Sequence, residues 1–192
     1  MAKLSGSKIT QEVETGNIVI RPFIKKNMGP NSYDLTLGPN ISRYKSIPHD
    51  NGSGFLSLKN NFILPLDIKK KNPIEEYEIP DDGIVLYPGE LYLCHTNEVA
   101  GSNHYIPCIE GRSSLARLGI QIHLTAGFGD VGFIAQWTLE IAVVRPVIIY
   151  KNIKVCQIYF DTIEGDIDSL YDGKYKDSKG VVESRLYEDF KK

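Results

Sequence analysis

Disulfides are the first thing this sequence cannot rely on: it holds three cysteines, Cys94, Cys108 and Cys156, an odd number set far apart. That pattern fits reduced thiols on strands, serving as small apolar residues, and not a cross-linked scaffold. Charge of one sign is also lacking. The 22 Lys and Arg against 24 Asp and Glu leave a formal net charge of −2, so the whole-protein field does not gather nucleic acid, and an anionic ligand has to be met by a local cluster of cations. A small anion suits that better than a strand. No stretch reaches the ~18 uninterrupted apolar residues that span a bilayer, and the opening MAKLSGSKIT has no apolar signal core. Both features lead us to expect a cytoplasmic protein with no membrane or nucleic-acid partner. Zinc-type deaminase spacing is missing, because Pro107-Cys108 is followed by Ile109, Glu110 and Gly111 and no H-x-E pairs with it. His49, His95, His104 and His123 are scattered, and neither a P-loop nor a GxSxG elbow occurs.

Long amphipathic helices are scarce as well, and what remains is mostly β. Short apolar or alternating runs, punctuated by Gly, Pro, Asn and Asp, predict strands at 34–37, 54–58, 83–87, 90–96, 120–125, 137–143, 147–150 and 154–160. Helix is expected only near 7–15 and 113–118. The length of 192 residues and 42% hydrophobic content fit one domain with its own core, and the strand spacing suggests an all-β barrel, sandwich or jelly roll. Residues 46–53 and the basic run Lys69 to Lys71 read as loops. From residue 161 to 192 the chain turns polar and charged, a tail with little core of its own, expected to order over a ligand or a neighbouring subunit.

Two stretches carry the chemistry. Glu110 to Gly119, EGRSSLARLG, sets Arg112, Ser113, Ser114 and Arg117 at a strand-to-helix junction. Backbone N–H groups, hydroxyls and guanidinium forks there suit phosphate, although the same composition also makes an ordinary capped surface helix. Thr125 to Glu140, TAGFGDVGFIAQWTLE, surrounds Asp130 with glycines that let a flat ligand approach the backbone. Asp130 is either the hydrogen-bonding residue of a tight turn or an acceptor for a sugar hydroxyl. In the strand that follows, alternation puts Gln136, Thr138 and Glu140 on one face and Trp137, Leu139 and Ile141 on the other. Glu140 therefore faces either solvent or a cavity.

Taken in order, NSYDLTLG (31–38), EGRSSLARLG, TAGFGDVGF, TLEI, IKVCQIYF (153–160) and the late KY-x4-G-x3-SR pattern resemble the dCTP deaminase family of the dCTP deaminase/dUTPase superfamily. The resemblance implies a jelly-roll-like, β-clip or dUTPase-like barrel, assembled as a homotrimer with active sites between subunits. It implies that Glu140 is the general base that activates water for attack at C4 of cytosine in place of a zinc hydroxide, a role worth roughly 10²- to 10⁴-fold. Ser113 and the backbone of Ala126 would hold the water and the amine, and Arg117 the base edge. Arg112, Ser114, Tyr171 and Lys174 would take the triphosphate as its Mg²⁺ complex, with no metal bound by the protein itself. Asp130 would take the 3′-hydroxyl, and Thr138, Gln157 and Ser178 would complete the substrate contacts.

Within that family Gly127 after Ala126, together with Gln157, resembles the members that continue from dUTP to dUMP and pyrophosphate, a glycine there leaving space for a second water oriented by Asp130. Gly129 and Ser178 depart from the common pattern, the latter where a glutamine often contacts phosphate. The resemblance also implies feedback inhibition by dTTP. The alternatives are a deaminase that releases dUTP, one acting on dCMP, a dUTPase that does not need Glu140, and a non-catalytic nucleotide sensor.

Overall fold

A computed structural model describes residues 2–45 and 65–191. The expected loop at 46–53 and strand at 54–58 lie outside the described residues. Helix α1 (Gly6–Glu14) starts where the Ser5 side chain accepts the Lys8 N–H at 3.3 Å, and a Lys8–Glu12 ion pair one turn apart supports it. Among the described residues ten strands follow: β1 (Ile18–Arg21), β2 (Tyr33–Tyr44), β3 (Ile74–Glu78), β4 (Ile84–Leu86), β5 (Tyr92–Ser102), β6 (Ile106–Gly111), β7 (Ile120–Gln121), β8 (Ile134–Val143), β9 (Val147–Ile149) and β10 (Lys154–Asp161). A single helical turn, α2 (Ser113–Ala116), sits between β6 and β7.

Every pairing is antiparallel. The main sheet runs β6-β10-β2-β5-β8-β7, with β1 also on β5 and β3 also on β2, and β4 with β9 forms a separate ribbon. The expected all-β fold is therefore the one observed. One face of the sheet closes on the core: Tyr33, Leu35 and Leu37 from β2, Leu139 from β8, and Ile158 and Phe160 from β10 are fully buried. Each such side chain contributes about 1.5–3 kcal/mol of transfer free energy.

Three strands escape the sequence pattern, each for a local reason. The four residues of β1 are a run too brief to show a period. Strand β3 reads Ile-Glu-Glu-Tyr-Glu and is exposed along most of its length, held by its pairing with residues 40–44 and by the Arg43–Glu75 ion pair. Strand β6 carries Pro107 and Glu110, and pairs with β10. Conversely, the strand expected at 120–125 keeps a ladder only through Gln121. Beyond it, Ile122 still receives the Glu140 N–H through its carbonyl at 3.1 Å, but the Leu124 N–H turns to the Glu140 side chain.

The β2–β5–β8 region is irregular, with register shifts on both sides of β5. A buried acid fills the defect. Glu98, 1% exposed, accepts the Thr36 N–H and hydroxyl, both at 2.9 Å, which satisfies a backbone donor that the shifted ladder leaves over. Replacing Leu139, at the centre of β8 and fully buried, by Ala is expected to cost about 2–5 kcal/mol, read as a lowered urea midpoint at unchanged slope.

Candidate active site

The alternation of β8 decides what the other face of the sheet holds. Ala135, Trp137, Leu139, Ile141 and Val143 are buried, while Gln136, Thr138 and Glu140 stand on the opposite side. That side borders a cavity of about 510 Å³, within the range of small-molecule sites. Glu140 is thus cavity-facing, and of the two orientations left open by the sequence the solvent-facing one is set aside. Its carboxylate receives the Leu124 N–H at 3.2 Å, while its own N–H is given to Ile122. The irregular segment after β7 therefore fixes both the backbone and the side chain of Glu140.

Asp130 and Ala126 line the same cavity, with Thr138, Tyr171 and Ser178. The tight turn at Asp130 is present, but its bond is to the backbone, the Asp130 carbonyl accepting the Phe133 N–H at 3.0 Å while the side chain stays exposed. The turn continues through Gly132, whose φ of +94° is a left-handed conformation, and a Cβ there would come within 2.6 Å of the Tyr171 nitrogen. The Tyr171 N–H is given to the Val131 carbonyl at 2.8 Å. The acid-bearing turn and the start of the tail are thus one unit. Sequence reasoning assigned no role to Tyr44, Leu93, Phe133, Tyr175 or Glu183, which also line the cavity. Signals that could have placed residues there were the motif positions of Phe133 and Tyr175 and, for Gln136, the shared face with Glu140.

The other predicted residues gather elsewhere. Arg112, Ser113, Ser114, Arg117, Gln157, Lys174 and Gly127 do not border the cavity of this chain. Ser113, Ser114 and Arg117 are exposed on the single turn of α2, and contrary to expectation no side chain caps that turn. Arg112 and Gln157 meet instead around Asp34, which pairs with the Arg112 Nε at 3.2 Å and the Lys154 Nζ at 2.9 Å and accepts from Gln157 at 3.3 Å. Lys174 pairs with Asp189 in the last helical turn. One chain therefore presents two separate groups, an acid-bearing cavity and an exposed cationic turn.

Two glycines need a correction in their physical meaning. The space expected beside Gly127 is already filled, because a Cβ there would lie 2.6 Å from the Ile109 carbonyl oxygen and 3.0 Å from the His123 ring. Gly127 lacks a side chain because the Ile109 N–H bonds its carbonyl at 2.7 Å and draws the two backbones together. At Gly129 the indole edge of Trp137 occupies the volume, 2.6 Å from an added Cβ. An aliphatic residue there would collide with it.

The charged tail already finds partners on its own chain. The Ser178 carbonyl accepts the Gln136 N–H at 3.1 Å, the Gly180 N–H meets the Gln136 side chain at 2.7 Å, and the Val182 N–H meets the Thr138 hydroxyl at 3.2 Å. Lys71, from the basic loop, pairs with Glu183 at 2.8 Å, and the Lys69 ammonium sits over the Phe190 ring. One backbone donor of β8, the Gln136 N–H, and two side-chain acceptors, on Gln136 and Thr138, explain why a segment with little apolar surface lies down there. Ser178, expected to contact substrate, donates its hydroxyl to the Tyr175 carbonyl at 2.6 Å.

The Lys71 ammonium holds the Glu183 carboxyl below the usual glutamate range, and Glu183 in turn raises Lys71. A lowered acid stabilises the attached tail fully above the pH at which a free glutamate titrates, and this contribution is lost as pH falls through the lowered value. The raised lysine loses its share only at the alkaline end. Trp137, the single tryptophan, borders the cavity and so reports on release of the tail. Acidification is expected to shift its emission to the red with a midpoint below the ordinary glutamate range, and Lys71→Met is expected to move that midpoint upward. An unmoved midpoint would remove this pair from the attachment.

Among the described residues no group of three or more His, Cys, Asp or Glu side chains converges as a metal site, and no helix is long and apolar enough to cross a membrane. Comparison with known proteins agrees with the motif order. A protein of Clostridium beijerinckii named dCTP deaminase, dUMP-forming, is 44% identical over 189 residues, 98% of this chain and 99% of its own. One of the same name from Leptospira biflexa is 40% identical over 98% of each chain. The crystal structure of 2′-deoxycytidine 5′-triphosphate deaminase from Agrobacterium tumefaciens superposes with a TM-score of 0.58 at 21% identity, over 82% of this chain and about half (47%) of that one, a likeness of fold. The profile described as dCTP deaminase-like matches residues 3–163, and with 40–44% identity along nearly the whole chain this places the protein in the dCTP deaminase-like family.

Proposed function

We propose that the protein deaminates dCTP at C4 of cytosine and carries the product on to dUMP and pyrophosphate, supplying a thymidylate precursor. The observation that carries this reading is that Glu140 and Asp130 border one cavity, with Ala126 on the same wall. The two relatives named dCTP deaminase, dUMP-forming, which align along nearly the whole chain, point the same way. In the first step Glu140 takes a proton from water as its oxygen bonds to C4, and returns the proton as the C4–N bond breaks and ammonia leaves. The Leu124 N–H fixes the carboxylate against rotation, so orientation is set before substrate arrives. In the second step a water aligned by Asp130 attacks the α-phosphorus and pyrophosphate departs. Gly127 serves this step as a place of close backbone packing and not as an open space.

The exposed cations of α2 support a shared site. Arg112, Ser114, Tyr171 and Lys174 are assigned to the triphosphate, Ser113 and Arg117 to the base and the attacking water, and Thr138, Gln157 and Ser178 to the remaining contacts. Since Arg112, Ser113, Ser114, Arg117, Gln157 and Lys174 do not border the cavity of their own chain, a neighbouring copy in a homotrimer would supply them. Mg²⁺, brought by and held through the phosphates, would neutralise charge on the leaving pyrophosphate. A cytoplasmic location and inhibition by dTTP in the same cavity belong to this proposal.

The test is a time course with dCTP and Mg²⁺, separated by anion exchange. Expected are dUMP and pyrophosphate in equal amounts with little free dUTP, and a loss of deamination of at least about 10²-fold in Glu140→Gln. Accumulating dUTP would sink the two-step reading. Unchanged dCTP beside hydrolysis of added dUTP that survives Glu140→Gln would make the protein a dUTPase, turnover of dCMP would move the substrate, and binding of dCTP with no turnover of any nucleotide would make it a sensor.

A further inference from the structure

The cationic turn is not simply exposed; one of its members is held from behind. Asp34, on β2, is a carboxylate whose side chain is only 14% exposed, and antiparallel pairing places it opposite Gln157 on β10. Its oxygens accept from the Lys154 Nζ at 2.9 Å and the Gln157 amide at 3.3 Å, and one of them lies 3.2 Å from the Arg112 Nε as an ion pair. The Arg112 Nη1 is given to the Lys154 carbonyl at 3.2 Å. One guanidinium donor is therefore hydrogen-bonded on the sheet side, to the Lys154 carbonyl, while charge holds the Nε edge against Asp34, and a planar group tethered along that edge turns its remaining N–H groups away from the sheet.

We propose that Asp34 is a positioning residue that, together with Lys154, presets Arg112 as an outward-facing fork for the substrate's phosphates. This inference rests on the assignment of Arg112 to the triphosphate. Asp34 alone would aim Arg112 and also neutralise it. Lys154 divides the carboxylate, because it sits opposite Thr36 on the same sheet face and reaches Asp34 at a shorter distance than Arg112 does. Glu98, on β5 beside β2, is occupied by the Thr36 N–H and hydroxyl and does not compete for the guanidinium. Gln157 adds a further bond to Asp34 at 3.3 Å and also meets the Ser32 hydroxyl at 3.3 Å. Asp34 and Lys154 touch no substrate in this arrangement; they set where Arg112 points.

The effect of a positioning residue appears in substrate binding and depends on the residue positioned. In steady-state assays of the full-length protein, Asp34→Asn is expected to raise the KM for dCTP by about tenfold, near the lower end of what a hydrogen bond between charged groups carries, with kcat within about twofold. The same substitution in an Arg112→Ala background is expected to change KM no further. Lys154→Met, which leaves the carboxylate in place and serves where Asp34→Asn folds poorly, is expected to raise KM several-fold by leaving Asp34 wholly on Arg112. An unchanged KM in both Asp34→Asn and Lys154→Met, or an equal effect of Asp34→Asn with and without Arg112, overturns the positioning role while the phosphate assignment stands. An unchanged KM in Arg112→Ala alone overturns the assignment itself, and the positioning role with it.

Discussion

Strand β8 has to serve two faces, and the architecture of this protein follows from that constraint. Its pleat sends Trp137, Leu139 and Ile141 into the core and Gln136, Thr138 and Glu140 to the other side. Moving the strand by one residue would bury the acid and expose the indole, so the hydrophobic burial that stabilises the sheet also fixes the direction of Glu140. Packing and chemistry share one register. The anchor is strong because Leu139 is fully buried and the Trp137 Nε1–H meets the Ala100 carbonyl at 3.0 Å.

Departures from regular structure lie next to this strand, and they shape the site. The ladder between β7 and β8 ends after Gln121, which frees the Leu124 N–H to orient the Glu140 carboxylate. The registers around β5 shift, and Glu98 absorbs the donor left over. The left-handed turn at Gly132 brings the tail to the Asp130 loop. In each case the cost of an irregular backbone is offset by a hydrogen bond to a specific side chain or to the tail.

Charge is distributed by the same logic. The chain as a whole is nearly neutral, yet acids border the cavity while Arg112 and Lys154 share Asp34 at the sheet edge. In the proposed shared site this division would be the reason for assembly, because a triphosphate beside Glu140 would need cations that this chain does not bring to its own cavity.

The sequence by itself determined the strand-rich class, helix α1, the two faces of β8 and the family, because these depend on local alternation and on ordered motifs. It left undecided whether Glu140 met solvent or a cavity, since the answer depends on the tail, which follows the strand by some forty residues in sequence and reaches it only in the folded chain. It gave no sign of Asp34 and Lys154 as a pair, because their meeting depends on the pairing of β2 with β10. It also suggested open space at Gly127, where only the approach of Ile109 shows the opposite. Periodicity records which side of a strand is dry; which polar group meets which is decided by strand pairing across long separations, and only the tertiary structure contains that.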